Sequence, residues 1–239
     1  MWKDILGLFK GGGLCEEAFD EAILMLETSR GMYRDSIRAL HDKGAMAADI
    51  YQRDRQLNRY ERSVRRKIVT HMSVSAKPDV NMGLVLTAIV IDIERIGDYT
   101  KNILELAMGL DAPFDGLELD ADVRAIESMV EEMFDAVIPA LQLSDDTKAR
   151  RIIETHSKVA EMVEGDIMRL RNSEVLAGRS GHAVTVALHL RFLKRVSAHL
   201  KNVATSVVNP YHRIGFREKE LPDEAGEEPS PLTLPLRGT

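Results

Sequence analysis

Residues 92–98 read DIERIGD, and they follow directly on the apolar run MGLVLTAIVI at residues 82–91. Together they lie in a proline-free segment whose apolar residues recur at the helical period. We therefore predict a helix over about residues 80–108, with Asp79 as its N-cap after the Lys77-Pro78 break. This segment leaves little polar surface for water, so the helix should lie at the centre of the fold.

Five further segments have helical periodicity, at about residues 14–42, 45–74, 120–141, 145–176 and 182–208, with Ser144 as the expected N-cap of the fifth helix. The connectors are short, which favours antiparallel neighbours. The sequence therefore predicts an all-α protein of six long helices in two tandem up-down-up three-helix bundles, over residues 14–110 and 117–209.

An internal repeat supports this division. Residues 84–107 can be laid on residues 184–207 at an offset of 100, which places Arg95 on Arg195 and Asn102 on Asn202. Repetition of a three-helix unit is the simplest architecture for such a chain.

The two ends of the chain lie outside the repeat. Residues 1–10 carry apolar side chains at helical spacing, including Trp2 and Phe9, and Gly11 to Gly13 follow. This segment is either an amphipathic membrane contact or a helix that packs on its own bundle or on a neighbouring subunit, and we favour the packing helix. The tail at residues 217–239 is rich in Pro, Glu and Gly, so we expect it to be disordered.

Composition narrows the classes of function. The net charge is −6 among 239 residues, which argues against an electrostatic nucleic-acid binder. The single cysteine, Cys15, allows neither an internal disulfide nor a cysteine metal pair. No apolar run approaches the roughly 18 residues of a membrane span, and we find no signal peptide. We expect a cytoplasmic protein.

Two carboxylates on the central helix need compensation. Glu94 and Asp98 are four residues apart and therefore share one helix face, where like charges repel each other. A shared hard metal ion, a basic residue from a neighbouring helix, or exposure to water would each reduce this cost. Spacing alone favours a network of ion pairs over a metal.

The motif at residues 92–98, followed by Asn102-Ile103, resembles the third-helix signature of the PhoU family, and DRQLNRYE at residues 54–61 resembles that family's second helix. The resemblance covers about residues 14–208. It implies a cytoplasmic, often dimeric and non-enzymatic protein. Such proteins act with a membrane phosphate transporter and a sensor kinase to restrain phosphate uptake and the starvation response.

Some members of that family bind metal through the acidic motifs of each bundle. Carried over to this chain, the resemblance implies a divalent or iron-type metal site in the first bundle, with candidate ligands Glu94, Asp98, Asp54 and Glu61. Asn58 stands where many members have an aspartate, so it is a weaker candidate.

The second bundle departs from that pattern. Lys194 and Ala198 replace the two carboxylates, and His156 and Ala160 match Asp54 and Asn58. An ammonium repels a cation, so we predict that this bundle has lost the metal site and that the protein is a divergent member. His156 and His199 are expected to be ordinary polar residues.

The sequence thus favours a non-enzymatic regulator of phosphate transport or phosphate signalling that acts by protein–protein contact. We expect a homodimer, and small residues such as Gly83, Ala88 and Gly97 would let the bundles pack closely against another copy. One alternative is an accessory subunit of a different ion transporter. A carboxylate metal enzyme is a second alternative, although the chain has no Glu-x-x-His pair of the di-iron type.

Overall fold

The computed structural model describes residues 13–42, 49–114, 117–173 and 179–216. The predicted amphipathic segment at residues 1–10 and the predicted disordered tail at residues 217–239 lie outside these ranges. The described residues form six long helices: α1 Leu14–His41, α2 Ile50–Val74, α3 Val80–Met108, α4 Asp120–Leu143, α5 Asp146–Asn172 and α6 Ser180–Val208. Short 3-10 turns at Leu117–Leu119 and Tyr211–Arg213 complete them. The all-α prediction is confirmed.

One of the two predicted N-caps is confirmed and the other is wrong. The Asp79 carboxylate accepts a hydrogen bond from the Met82 N–H at 2.9 Å, so it caps α3 as expected. Ser144 instead ends α4 in the left-handed conformation, with φ 50°. Asp145 caps α5 by accepting from the Lys148 N–H at 3.0 Å. The chain needs one residue to reverse direction before the next cap, and Ser144 takes that position.

The two halves of the repeat each form a three-helix unit, in which α1, α2 and α3 contact one another and α4, α5 and α6 do the same. The halves pack together through α3 against α6 and through α1 against α4. A single cluster of buried apolar side chains runs through both halves. The predicted central helix, α3, therefore contacts helices of both halves.

The sequence of each helix explains its position. In α2 the buried residues form one narrow stripe of Ile50, Leu57, Val64 and Ile68, so α2 offers one side to the core. In α3 the buried residues spread over several faces, since Val85, Leu86, Ile89 and Val90 are all fully buried. Among the described helices, none is both long enough and apolar enough to cross a membrane.

Glycines allow α2 and α3 to approach closely. A Cβ atom at Gly97 would lie 2.2 Å from Leu57 Cδ1, and one at Gly83 would lie 2.1 Å from Met72 Cε. The expectation that Gly83 and Gly97 face another copy is therefore wrong, because side chains of α2 in the same chain already fill the space above them.

Candidate functional site

The packing of α2 on α3 brings the four predicted ligand residues into one region, which we call the carboxylate cluster: Asp54 and Glu61 on α2 with Glu94 and Asp98 on α3. Burial raises the pKa of Glu94, and the negative charges of Asp98, Glu61 and Asp54 raise it further against the opposing effect of Arg95. The four carboxylates therefore interact electrostatically, which the motif spacing predicted for Glu94 and Asp98.

Cations already compensate the carboxylate cluster. The Lys101 ammonium donates to Asp54 Oδ1 at 2.9 Å and to Asp98 Oδ1 at 3.2 Å. Burial lowers the pKa of Lys101, but the hydrogen bonds to the two aspartates outweigh this effect and raise it overall. Arg95 pairs with Asp98 at 3.1 Å, and Arg65 pairs with Glu61 at 2.8 Å.

This arrangement fits an ion-pair network better than a metal site. The Lys101 ammonium holds one carboxylate oxygen of each of two candidate ligands, Asp54 and Asp98. Within the described ranges, no group of three or more His, Cys, Asp or Glu side chains is arranged to hold a metal. The metal in the first bundle therefore stays a prediction.

Sequence reasoning missed Lys101, although a signal was present. Lys101 is three residues after Asp98 and so shares its helix face, and Lys201 stands at the same place in the repeat. Lys101 is thus a basic residue that compensates the carboxylates, as the spacing favoured. It lies on the same helix as the motif.

In the second half, the matching positions carry different chemistry. Lys194 pairs with Glu164, and His156 Nδ1 lies 3.0 Å from Ser197 Oγ. His199 Nδ1 lies 2.7 Å from Asp92 Oδ1. Each of the two histidines thus has a polar side-chain partner.

Asp92, the first residue of the motif, links the two halves. Its Oδ1 atom also accepts from Asn202 Nδ2 at 2.9 Å, so two residues of α6 bond to one carboxylate of α3. The Tyr99 ring stacks on His199 with centroids 5.7 Å apart, and the Arg195 guanidinium lies over the same ring at 5.4 Å. The motif therefore serves the contact between halves as well as the carboxylate cluster.

A second buried polar group, unrecognised from the sequence, also joins the halves. Glu127 of α4 accepts from His41 Nε2 at 2.9 Å and from His189 Nε2 at 2.7 Å. Burial raises the pKa of Glu127, but the hydrogen bonds from His189 and His41 outweigh it and lower the pKa to about 2. The sequence did contain a sign of this buried group, because Glu127 lies on the apolar face of α4 with Val123 and Val130.

The family model described as the PhoU domain matches residues 22–107, which span most of α1 together with α2 and α3. A protein of Pseudomonas aeruginosa named as a phosphate-specific transport system accessory protein PhoU homolog is 24% identical over 178 residues, 73% of this chain and 74% of that one. A homolog of the same name from Pseudomonas putida is 22% identical over 200 residues, 82% of this chain and 73% of that one.

Solved structures agree with these sequence matches. The crystal structure of PhoU from Pseudomonas aeruginosa superposes with a TM-score of 0.75 at 22% identity, covering 82% of this chain and 95% of that one. The phosphate transport system regulatory protein PhoU from Streptococcus pneumoniae gives 0.70 at 14% identity, covering 81% and 93%. Residues 22–107 thus match the PhoU domain, and the two relatives and the shared fold support the resemblance to a divergent member of the PhoU family.

Proposed function

We propose that this protein is a non-enzymatic, cytoplasmic regulator of phosphate transport or of phosphate-starvation signalling. The observation that carries the proposal is the six-helix scaffold in two repeated halves, matched along most of its length by relatives named for phosphate-specific transport. Its action would be protein–protein contact with a membrane phosphate transporter or with a sensor kinase.

Exposed apolar side chains on the two repeated helices, α3 and α6, support regulation by protein–protein contact. Leu84 and Ile91 lie one heptad apart on α3 and are 40% and 41% exposed. On α6, Val184 and Leu188 are 57% and 40% exposed, and Val184 occupies the repeat position of Leu84. Apolar side chains grouped on a helix face are the chemistry that a protein partner buries.

A gene deletion in the native cell tests the regulatory role. Radiolabelled phosphate uptake in phosphate-rich medium should rise, and a starvation reporter should switch on. The wild-type gene should restore both, whereas a Leu84→Asp/Leu188→Asp variant that keeps wild-type helicity should not. Unchanged uptake together with an unchanged reporter would overturn the proposal.

The alternative, an accessory subunit of another ion transporter, is favoured by the divergence of the second half, where Lys194 and Ala198 replace the paired carboxylates. The same deletion strain distinguishes the two functions. A change in the uptake of potassium or another ion, with phosphate uptake unchanged, would support the alternative.

Metal binding and dimerisation belong to the same proposal. Elemental analysis of the purified chain tests the metal that the family resemblance implies against the ion-pair network that the geometry favours. A divalent or iron-type metal that is lost in Glu94→Ala and Asp98→Ala, and kept in Glu131→Ala at an exposed position of α4, would support the metal. Absence of metal from the wild-type protein would leave the ion-pair network as the role of the carboxylate cluster. Sedimentation velocity tests the homodimer.

A further inference from the structure

A cavity of about 510 Å³ opens in the second half, between α5, α6 and the residues that follow α6. Its volume lies in the range of small-molecule sites. It is lined by Arg150, Ile153, Glu154, His156, Ser157, Ala160, Lys201 and Gly215. Three of these eight residues, Arg150, His156 and Lys201, are of basic type, and one, Glu154, is acidic.

The internal repeat explains the charge of this cavity. In the first half, the Lys101 ammonium is held between two aspartates. In the second half, Lys201 stands at the position of Lys101, but His156 and Ala198 replace the two aspartates. Lys101 therefore lies between two aspartates in the first half. Lys201, at the matching position of the second half, lacks both of these aspartates.

The partner that Lys201 does have is neutral. Its ammonium donates to the Gly215 carbonyl oxygen at 2.6 Å, which leaves two of its three donors unused among the described residues. Burial lowers the pKa of Lys201, while Asp92 of α3 raises it. A partly buried ammonium beside an open cavity is a donor for an incoming anion.

His156 is a second group at the cavity, and a bound anion would stabilise its protonated form. The Ser197 hydroxyl donates to the Lys194 carbonyl at 2.9 Å, so the His156 Nδ1–H donates to Ser197 Oγ and the neutral ring keeps a lone pair on Nε2. Burial, together with the positive charges of Lys201 and Lys194, lowers the pKa of His156 to about 4. A bound anion would oppose the effect of the two positive charges and favour the protonated ring.

The one carboxylate of the lining, Glu154, narrows the class of anion. A carboxylate repels an oxyanion that has no proton but accepts a hydrogen bond from one that keeps a proton. At neutral pH, phosphate and its simple esters still carry or readily take such a proton, whereas sulfate does not. Ser157 supplies a further donor around the same space.

We propose that this cavity is a binding site for a phosphate-type oxyanion, either inorganic phosphate or the phosphate group of a small ester. Lys201 binds its charged oxygen atoms, and Glu154 accepts its remaining proton. The apolar side chains of Ile153 and Ala160 leave room for the organic part of an ester. The site goes beyond the regulatory role proposed above, and purified protein tests it independently of that role.

Calorimetric titration of the full chain at low ionic strength with sodium phosphate and with AMP tests the proposal. Saturable binding is expected, and tighter binding of AMP than of phosphate would identify the ester as the ligand. Lys201→Gln should weaken binding by about tenfold or more, because it removes a charge-assisted hydrogen bond. The matched control Lys158→Gln removes the same charge from an exposed site on α5 outside the lining, so affinity should stay within about twofold.

Two further measurements do not depend on how well Lys201→Gln folds. Glu154→Gln should tighten sulfate binding and so reduce the preference for phosphate over sulfate, a gain that loss of folding cannot produce. In NMR titrations, saturating phosphate should raise the pKa of His156. No saturable binding in the millimolar range, equal loss in Lys201→Gln and Lys158→Gln, or an unmoved His156 titration would each overturn the proposal.

Discussion

Glu127 is a carboxylate within an apolar helix face, 6% exposed and hydrogen-bonded by two histidines from different helices. Its lowered pKa makes folding stability depend on pH. A carboxyl group with a folded-state pKa below its unfolded value stabilises the fold above the unfolded pKa, and this contribution is lost as pH falls through the folded pKa.

We predict that Glu127→Gln lowers the free energy of unfolding at pH 7. A fall in pKa from 4.5 to about 2 corresponds to a loss on the order of 3 kcal/mol. The difference between wild type and variant should shrink as pH falls from about 4.5 towards 2, because the wild-type carboxylate then takes up its proton. Urea unfolding at pH 7, 5 and 3 measures this difference.

Glu131→Gln is the control, since Glu131 makes an exposed pair with Arg34 at 2.7 Å. The effect of Glu131→Gln on the free energy of unfolding should stay within about 1 kcal/mol at each of these pH values. Equal pH dependence in the two variants would contradict the assignment of Glu127 as the coupled group.

Some properties of the carboxylate cluster could be predicted from the sequence and others could not. The i, i+4 spacing of Glu94 and Asp98 correctly placed them on one face and required a compensating charge. Spacing could not choose between a metal and an ammonium, because both satisfy the same electrostatic need. The choice depends on where the flexible side chain of Lys101 lies, and only the packing of α2 on α3 fixes that.

Among elements, the packing of α2 on α3 depends on Gly97. We predict that Gly97→Ala destabilises the fold by about 1–3 kcal/mol, because the new methyl group would overlap the fully buried Leu57. Gly83→Ala should cost less than about 1 kcal/mol, since its nearest neighbour is the flexible end of Met72 and alanine favours the helix. Thermal unfolding of both variants measures the difference.

The repeat suggests a compensating variant. At the positions matching Leu57 and Gly97, the second half has Val159 and Ser197, a smaller side chain on one helix and a larger one on the other. Leu57→Val should therefore partly rescue Gly97→Ala. Strictly additive effects of the two substitutions would show that the two residues do not compete for space.

The junction of α4 and α5 gives another prediction at this scale. Ser144 is left-handed and its buried hydroxyl has no hydrogen-bond partner among the described residues. Ser144→Gly should therefore stabilise the fold by up to about 1 kcal/mol. Asp145→Ala should lower the Tm by about 2–4 °C, because it removes the true N-cap. A larger loss at Ser144 than at Asp145 would reverse this assignment of the cap.

The helices were easier to predict than the connections between them. Hydrophobic periodicity placed α3 at residues 80–108, where the structure has it, because apolar residues and Asp79 define both its course and its start. The neighbouring residues Ser144 and Asp145 are both good caps by composition. Which of them takes the left-handed turn depends on how α4 and α5 pack, which local sequence does not encode.

For the whole molecule, the repeat suggests two separate bundles, but the packing joins them. The buried apolar cluster is continuous across the halves. Tyr33 of α1 donates to the Glu127 carbonyl at 2.8 Å and its ring contacts Phe134 of α4. Asp92 of α3 bonds two residues of α6. Each half therefore has a face that only the other half covers.

We predict that the halves do not fold independently. In a fragment of residues 1–114, the face of α3 that packs on α6 would be exposed to water, so the fragment should unfold without cooperativity or should self-associate. Residues 115–239 should behave in the same way, whereas the full chain should unfold in one transition. Circular dichroism melts and sedimentation velocity measure both properties.

Mixing the fragments provides the control. If the interface between halves supplies the missing stability, an equimolar mixture should form a 1:1 complex and recover a cooperative transition, because each fragment covers the apolar face that the other exposes. Asp92→Ala in the first fragment should weaken the complex, since it leaves His199 and Asn202 without their shared acceptor. Two monomeric fragments that each melt cooperatively near the Tm of the full chain would mean that the repeat units are autonomous domains.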